Sequence, residues 1–215
     1  MEKPKLQVAL DNLTIEDALH SMRNGLERVV DIIEAGTYLI LMEGVRAVRI
    51  LRSAFPDNLI VADYNGVDPA FESLILEQGA QLNTVNSVMP DEMLRTCLEN
   101  ARARGQSIQI CLYDDRLDFA AAQRWREMGA EYFVYTNYHD EWLASDVENV
   151  RRLCGMGYHV SIADGVTAET LELFRGVPLY AIVMGGAIRK AADPVAAAAA
   201  LQKKITEIWG NSYVG

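Results

Sequence analysis

Three carboxylates lie in stretches of the sequence that are otherwise apolar. Asp11 ends the run VALD, Glu34 lies within DIIEAGT and Asp63 ends IVAD. A lone charge in such surroundings is costly to desolvate, and three converging acids would raise one another's pKa values unless a cation lay among them. Oxygen ligands of this kind suit a hard divalent ion, Mg²⁺ above all. The three acids therefore predict a metal site.

Polar residues also follow the other apolar runs. The set comprises Asn65, Asn86, Ser87, Asp114, Asp115, Thr136, Asn137, His139 and Asp164. For Asp114, Asp115 and Asp164, a loop acid or a helix N-cap is the favoured interpretation. His139 is either a general acid that acts near neutral pH or a solvent-exposed loop histidine.

Two glycine-bearing turns each precede a helical stretch. They are Asp164-Gly165 and Gly185-Gly186. Backbone N–H groups exposed by glycine, together with a helix N-terminus, form an anion site, and in barrels the anion is commonly a phosphate. The alternative is a pair of tight turns that need a positive φ.

Eight short strand-like runs alternate with helical segments and would position these residues. The predicted strands are 6–11, 30–37, 59–65, 81–87, 107–113, 131–137, 159–165 and 179–185. The predicted helices include 15–29, 45–54, 91–104, 119–129, 146–156, 168–174 and 194–209. This alternation predicts a single (β/α)8 barrel domain over residues 1–215, whose active site lies at the carboxyl ends of the strands. An open doubly wound sheet is the rival, although no GxGxxG follows the first strand.

Composition excludes several classes of protein. Half of the 215 residues are hydrophobic, which excludes a disordered chain, and 20 basic against 30 acidic residues give a net charge of −10. So acidic a surface disfavours nucleic acid and anionic membranes as partners. Three separated cysteines without CxxC spacing offer neither a disulfide framework nor a zinc knuckle. Free thiols and the absence of a signal peptide or an 18-residue apolar run predict a cytoplasmic protein.

Several motifs resemble those of one known family. ALDN at 9–12, DIIEAGT at 31–37, EGVRAVR at 43–49 and IVADYNGVD at 60–68 are similar to the 3-keto-L-gulonate 6-phosphate decarboxylase and 3-hexulose-6-phosphate synthase group of the orotidine monophosphate decarboxylase superfamily. The resemblance covers nearly the whole chain. It implies a (β/α)8 homodimer with its active sites at the subunit interface. It also implies a carbon–carbon lyase that binds a sugar phosphate with Mg²⁺ and stabilises an enediolate formed by decarboxylation or aldol chemistry.

The resemblance also implies roles for individual residues. Asp11 matches the family's substrate-binding aspartate, and Glu34 and Asp63 match its magnesium ligands. Asp68 matches the acid that reaches into the partner subunit's site. The apolar run 38–42 is too hydrophobic for an open loop, and we expect it to lie in the dimer interface.

The chain departs from the family where cations and proton-transferring groups are expected. The family's catalytic lysine is Asn65, its phosphate-binding arginine is Gly186, and a glycine of its phosphate loop is Asp164. Elsewhere, Cys111 replaces a glutamate, Thr136 a histidine and His139 an arginine. Loss of both cations weakens charge-assisted binding, so the family's two reactions are expected to run near background.

Two interpretations of these departures remain. In one, the protein is an enzyme of changed scope that keeps the metal through Glu34 and Asp63 and accepts a small sugar or sugar phosphate. In the other, it is a catalytically impaired barrel that binds a small polar ligand or a protein partner. The retained acids favour the enzyme, and the lost lysine favours the impaired barrel.

Overall fold

Eight parallel strands close into a barrel in chain order. The structure is a computed structural model, and it describes residues 2–113, 117–137, 139 and 141–210. The strands are β1 (Lys5–Leu10), β2 (Ile32–Ala35), β3 (Leu59–Gly66), β4 (Leu82–Asn86), β5 (Ser107–Tyr113), β6 (Tyr132–Thr136), β7 (His159–Ala163) and β8 (Ala181–Met184). β8 pairs with β1 and closes the sheet. The single-domain (β/α)8 barrel is confirmed, and the doubly wound alternative is wrong. Asp114 and Asp115 lie outside the described residues.

Helices connect the strands on the outside of the barrel. They are α1 (Ile15–Ser21), α2 (Thr37–Glu43), α3 (Arg46–Ala54), α4 (Pro69–Glu77), α5 (Asp91–Ala103), α6 (Phe119–Glu127), α7 (Ala144–Gly155), α8 (Thr170–Leu173), α9 (Gly186–Arg189) and α10 (Pro194–Trp209). A 3-10 helix, Arg23–Arg28, follows α1.

The first predicted helix, 15–29, is too long. α1 ends at Ser21 because Asn24 and Gly25 take left-handed backbone angles, with φ of 62° and 87°. Asparagine and glycine tolerate that conformation best, and the chain there turns instead of continuing the helix.

The barrel interior changes from apolar to polar along the strands. At its base, Ile32, Val61, Leu82 and Ala181 pack together with aromatic residues that include Tyr180. Lys5 lies over the Tyr180 ring, 4.7 Å from its centroid. The base is thus filled by side chains, and the polar inward positions lie toward the carboxyl ends of the strands. In the described part of the chain, no helix is both long and apolar enough to cross a membrane.

One acid is buried between the barrel and a helix, away from the strand ends. Glu72 on α4 is 1% exposed, and its Oε2 accepts a hydrogen bond from the side-chain amide of Asn83, which is fully buried on β4. Burial, with smaller contributions from Asp68 and Asp63, raises the pKa of Glu72 to about 8. Glu72 Oε1 and Asn83 Oδ1 have no other partner among the described residues, so a protonated Glu72 can donate to Asn83.

This burial predicts a pH-dependent stability. An unfolded glutamate ionises near 4.5, whereas folded Glu72 keeps its proton to about 8, so the free energy of unfolding falls as pH rises between these values. Glu72→Gln keeps the amide-like hydrogen bonds and cannot ionise. We expect it to exceed the wild type in urea denaturation by roughly 3 kcal/mol at pH 8, with the difference shrinking as pH falls to 5.

The matched control is Glu99→Gln, which changes an exposed acid on α5. It should leave stability unchanged at both pH values. A Glu72→Gln variant that is no more stable than the wild type at pH 8 would contradict the assignment of a neutral Glu72.

Candidate active site

A cavity of about 620 Å³ opens at the carboxyl ends of the strands. Four carboxylates line it, from Asp11, Glu34, Asp63 and Asp164, and its described lining contains no lysine, arginine or histidine. Asn65, Gly165, Gly185 and Gly186 line it as well. The structure therefore brings most of the predicted site residues together around one acidic cavity.

Three of the four acids lie on or directly after neighbouring strands, β1 to β3, in two layers. Glu34 on β2 pairs in register with Ala9 on β1 and with Val61 on β3. Asp11 and Asp63 lie two residues beyond those partners, and residues two apart on a strand share a face. They therefore flank Glu34 one layer nearer the mouth.

Asp63 is held by a hydroxyl from the neighbouring βα unit. The Thr37 hydroxyl donates to Asp63 Oδ2 over 2.7 Å, and Thr37 is the first residue of α2. Burial raises the pKa of Asp63 to about 6, with Asp11 and Asp164 adding repulsion, while hydrogen bonds from Thr37 and Thr84 lower it. The helix start thus fixes the orientation of the carboxylate.

Glu34 is the most deeply buried of the four acids. It is 6% exposed, and the side-chain amide of Gln7 on β1 donates to its Oε2. Burial raises its pKa well above the ordinary value, and the charges of Asp63 and Asp11 raise it further. A cation between these groups would remove that repulsion.

The donor set fits a magnesium ion. Mg²⁺ is usually held by one or two carboxylates, with water and substrate oxygens completing its octahedron. Glu34 and Asp63 supply two such carboxylates on adjacent strands. Within the described ranges, no group of three or more acidic, cysteine or histidine side chains is arranged to hold a metal by itself.

Asp11 packs over two glycines. A Cβ on Gly36 would overlap the Asp11 carboxylate and lie 3.0 Å from the carbonyl oxygen of Leu10, and a Cβ on Gly185 would lie 3.6 Å from Asp11 Oδ2. Burial raises the pKa of Asp11, and the charge of Arg189 lowers it. The absence of a side chain at Gly36 makes room for the acid, whereas a Cβ on Gly185 would be in ordinary contact with it.

The two glycine-bearing turns differ in backbone conformation. Asp164 and Gly165 both have a positive φ, of 61° and 60°, and the carbonyl of Asp164 accepts a hydrogen bond from Trp142 Nε1 over 3.0 Å. Gly185 has a φ of −98° and does not need to be glycine on that ground. The positive φ that a tight turn requires is thus present at Gly165 and absent at Gly185, while both residues line the cavity.

Two predicted site residues lie away from the cavity lining. Asp68 is exposed and caps α4 by accepting a hydrogen bond from the N–H of Ala70 over 3.0 Å. His139 is exposed, and its backbone N–H donates to Asn137 Oδ1 over 2.9 Å. Catalytic roles for these two residues stay predictions.

Sequence reasoning did not select several polar residues of the cavity. Besides Thr37, they are Gln7, Thr84 and Gln109, which all line it. Each is a polar residue within a largely apolar strand, the same pattern that identifies Glu34. An uncharged side chain is cheaper to bury than a carboxylate, so the pattern is a weaker signal for these residues.

Known proteins resemble this chain in sequence and in fold. The sequence pattern of the family described as "Orotidine 5'-phosphate decarboxylase / HUMPS family" matches residues 4–201. A 3-keto-L-gulonate-6-phosphate decarboxylase from Escherichia coli is 35% identical over 98% of this chain and its own full length. A crystal structure of KGPDC from Streptococcus mutans, solved as a ligand complex, has a TM-score of 0.91 and 32% identity, covering 96% of this chain and 99% of its own. The crystal structure of 3-hexulose-6-phosphate synthase from Salmonella typhimurium has a TM-score of 0.82 and 26% identity, and the match covers 95% of this chain and 97% of the synthase chain.

The packing of Asp11 over Gly36 yields a stability prediction. Gly36→Ala inserts a methyl group into a buried site next to β1, so Asp11 or the β1 backbone must move. We expect it to lower the free energy of unfolding by about 1–3 kcal/mol. Gly155→Ala is the control, because a Cβ there meets nothing within 4 Å and alanine favours the α7 helix. Equal stabilities of the two variants would show that Gly36 is not tightly packed.

Proposed function

Since the chain belongs to the orotidine 5'-phosphate decarboxylase / HUMPS family, we propose that it is a Mg²⁺-dependent carbon–carbon lyase that acts on a sugar phosphate through an enediolate. The acid cluster of Asp11, Glu34 and Asp63 in the cavity is the observation that carries the proposal. Support comes from the relatives, which are named as decarboxylases of a keto sugar-acid phosphate or as a hexulose-phosphate synthase.

Glu34 and Asp63 are the proposed metal ligands. When bound there, Mg²⁺ would stabilise the negative charge that develops on the substrate's oxygen atoms. Thr37 holds Asp63 in orientation through its 2.7 Å hydrogen bond. Gln7 does the same for Glu34 from the layer below.

Asp11 and Asn65 are the proposed substrate contacts at the reacting end. Asp11 lies nearer the mouth than Glu34 and can accept hydrogen bonds from substrate hydroxyl groups. Asn65 lines the cavity with a left-handed φ of 55°. Its amide can donate to an enediolate oxygen, but it carries no charge and moves no proton. Turnover with Asn65 at this position should therefore be slow.

Gly165, Gly185 and Gly186 form the proposed phosphate side of the cavity. Without side chains they allow a close approach of the ligand to the backbone. Asp164 adds a carboxylate to the same rim and opposes an anion there. The charge of Asp164 therefore weakens the binding of a dianion that the backbone N–H groups on this side would otherwise favour.

A catalytically impaired barrel is the second candidate. The described cavity lining has four carboxylates and no basic side chain, which favours a neutral polyol or another small polar ligand over a phosphorylated one. Only the lyase would turn over a substrate in a magnesium-dependent way, so a measurement of such turnover distinguishes the two candidates.

We further propose a homodimer that brings two cavities together. Tyr38, Leu41 and Met42 on α2 are 61%, 64% and 65% exposed, next to the mouth, and Tyr38 also lines the cavity. So much exposed apolar surface on one short helix is typical of an interface. Exposed Asp68, at the start of α4, is proposed to reach the partner's cavity from such an interface.

The activity prediction concerns Asn65. We expect slow, Mg²⁺-dependent decarboxylation of 3-keto-L-gulonate 6-phosphate or formaldehyde addition to ribulose 5-phosphate by the wild type. Asn65→Lys should raise kcat by about tenfold or more, because it places a charge beside the developing oxyanion. Steady-state rates with and without Mg²⁺ measure both effects.

Asn65→Met is the matched control for that experiment. It has a similar length and carries the same cost of a left-handed backbone, but it has no charge. It should not raise kcat. If neither the wild type nor Asn65→Lys turns over either substrate, the lyase is excluded and the impaired barrel remains.

The dimer prediction concerns α2. Analytical sedimentation should give twice the chain mass of 23.9 kDa. Leu41→Glu should yield monomers, because it places a charge in the apolar interface. Leu173→Glu, at a position 50% exposed on α8, should remain dimeric. A wild type that sediments as a monomer at micromolar concentration would refute the interface.

A further inference from the structure

Lys190 lies over the rim of the cavity at Gly186. It follows α9 directly, and its backbone N–H still donates to the carbonyl of Gly186 over 3.1 Å. A Cβ on Gly186 would lie 3.7 Å from Lys190 Cδ and 3.8 Å from Cε. This agrees with helical geometry, in which residues four apart share a face and side chains point toward the N-terminus. The stem of Lys190 therefore lies beside Gly186, a residue that lines the cavity, and the ammonium group at its end can reach that side.

The charge of Lys190 is not engaged elsewhere in the described structure. Its side chain is exposed and makes no hydrogen bond or ion pair to any residue within the described ranges. The neighbouring Arg189 differs, since its charge acts on Asp11 and lowers the pKa of that acid. Neither cation at the end of α9 has a hydrogen-bond or ion-pair partner among the described residues, but Arg189 is half-buried with its charge acting on Asp11, whereas Lys190 is exposed beside Gly186.

The aliphatic stem of the Lys190 side chain occupies the space next to Gly186. A side chain at position 186 would start in ordinary contact with that stem, so the two positions compete for one place on the rim. Because residue 186 is a glycine, the Lys190 side chain can occupy this part of the rim. A cation delivered from position 190 thereby occupies the region that a longer side chain at 186 would fill.

We propose that Lys190 is the residue that binds the phosphate of the substrate, from outside the cavity lining. The proposal rests on the sugar-phosphate substrate of the proposed function, and it names the residue that selects the phosphorylated form. Four carboxylates around the cavity would otherwise repel a dianion. An ammonium group on a flexible stem is a compact charge that suits phosphate.

Calorimetric binding of ribulose 5-phosphate and of unphosphorylated D-ribulose, with Mg²⁺ present, tests this role. Lys190→Met keeps the stem over Gly186 and removes only the charge. We expect it to raise the Kd of ribulose 5-phosphate by about tenfold or more and to leave that of D-ribulose unchanged. Lys203→Met, at an exposed position of α10, is the control and should change neither.

A rescue variant makes the assignment specific to this place on the rim. Gly186→Arg in a Lys190→Ala background should restore the affinity for ribulose 5-phosphate, since the alanine also removes the stem beside Gly186 and the arginine returns a cation to the same place. Wild-type affinity in Lys190→Met would overturn the proposal, as would an equal loss for the two sugars. Binding is measured without turnover, so an inactive enzyme that still shows the phosphate-selective loss would refute the lyase but not the role of Lys190.

Discussion

The mutual repulsion of carboxylates at the mouth of the barrel is the interaction on which the rest of the site depends. A closed barrel of eight parallel strands brings their carboxyl ends to one opening, and acids lie within or directly after the last part of three adjacent strands. Burial raises the pKa of Asp11, Glu34 and Asp63, and the charges of neighbouring carboxylates raise those of Glu34 and Asp63 further. Hydrogen bonds from Gln7 and Thr37 offset only part of that cost. A bound divalent cation would offset the remainder, and this is the physical basis of the proposed metal site.

The architecture is predictable from the sequence because the strands are apolar and short. β5 and α10 have the predicted bounds, 107–113 and 194–209, since clear turn and cap residues flank them. α2 is recognisable in the sequence only as an apolar run, because its residues are hydrophobic on all sides and show no helical period. The Asn24-Gly25 pair that ends the first helix is a turn signal that the helical pattern obscures.

A site residue can be recognised from the sequence when its side chain costs much free energy to bury in an apolar strand. Charged Asp11, Glu34 and Asp63 interrupt apolar runs, and this makes them recognisable. Thr37 and Gln7 are neutral, and nothing in a single sequence shows which strand face they occupy. The contact of Lys190 with position 186 depends on a short helix that sequence patterning does not delimit. In our proposals, the acid cluster would bind the metal and Lys190 would bind the phosphate, so the two ends of the site differ in how well the sequence reveals them.

The effect of Mg²⁺ on thermal unfolding, compared between the wild type and a Glu34→Gln, Asp63→Asn double variant, tests the central claim most directly. Without metal, the variant should melt at the higher temperature, because it has lost the buried repulsion. Addition of Mg²⁺ should raise the Tm of the wild type and leave that of the variant unchanged. Equal Tm shifts in the two proteins, or no shift in the wild type, would contradict a metal site at Glu34 and Asp63.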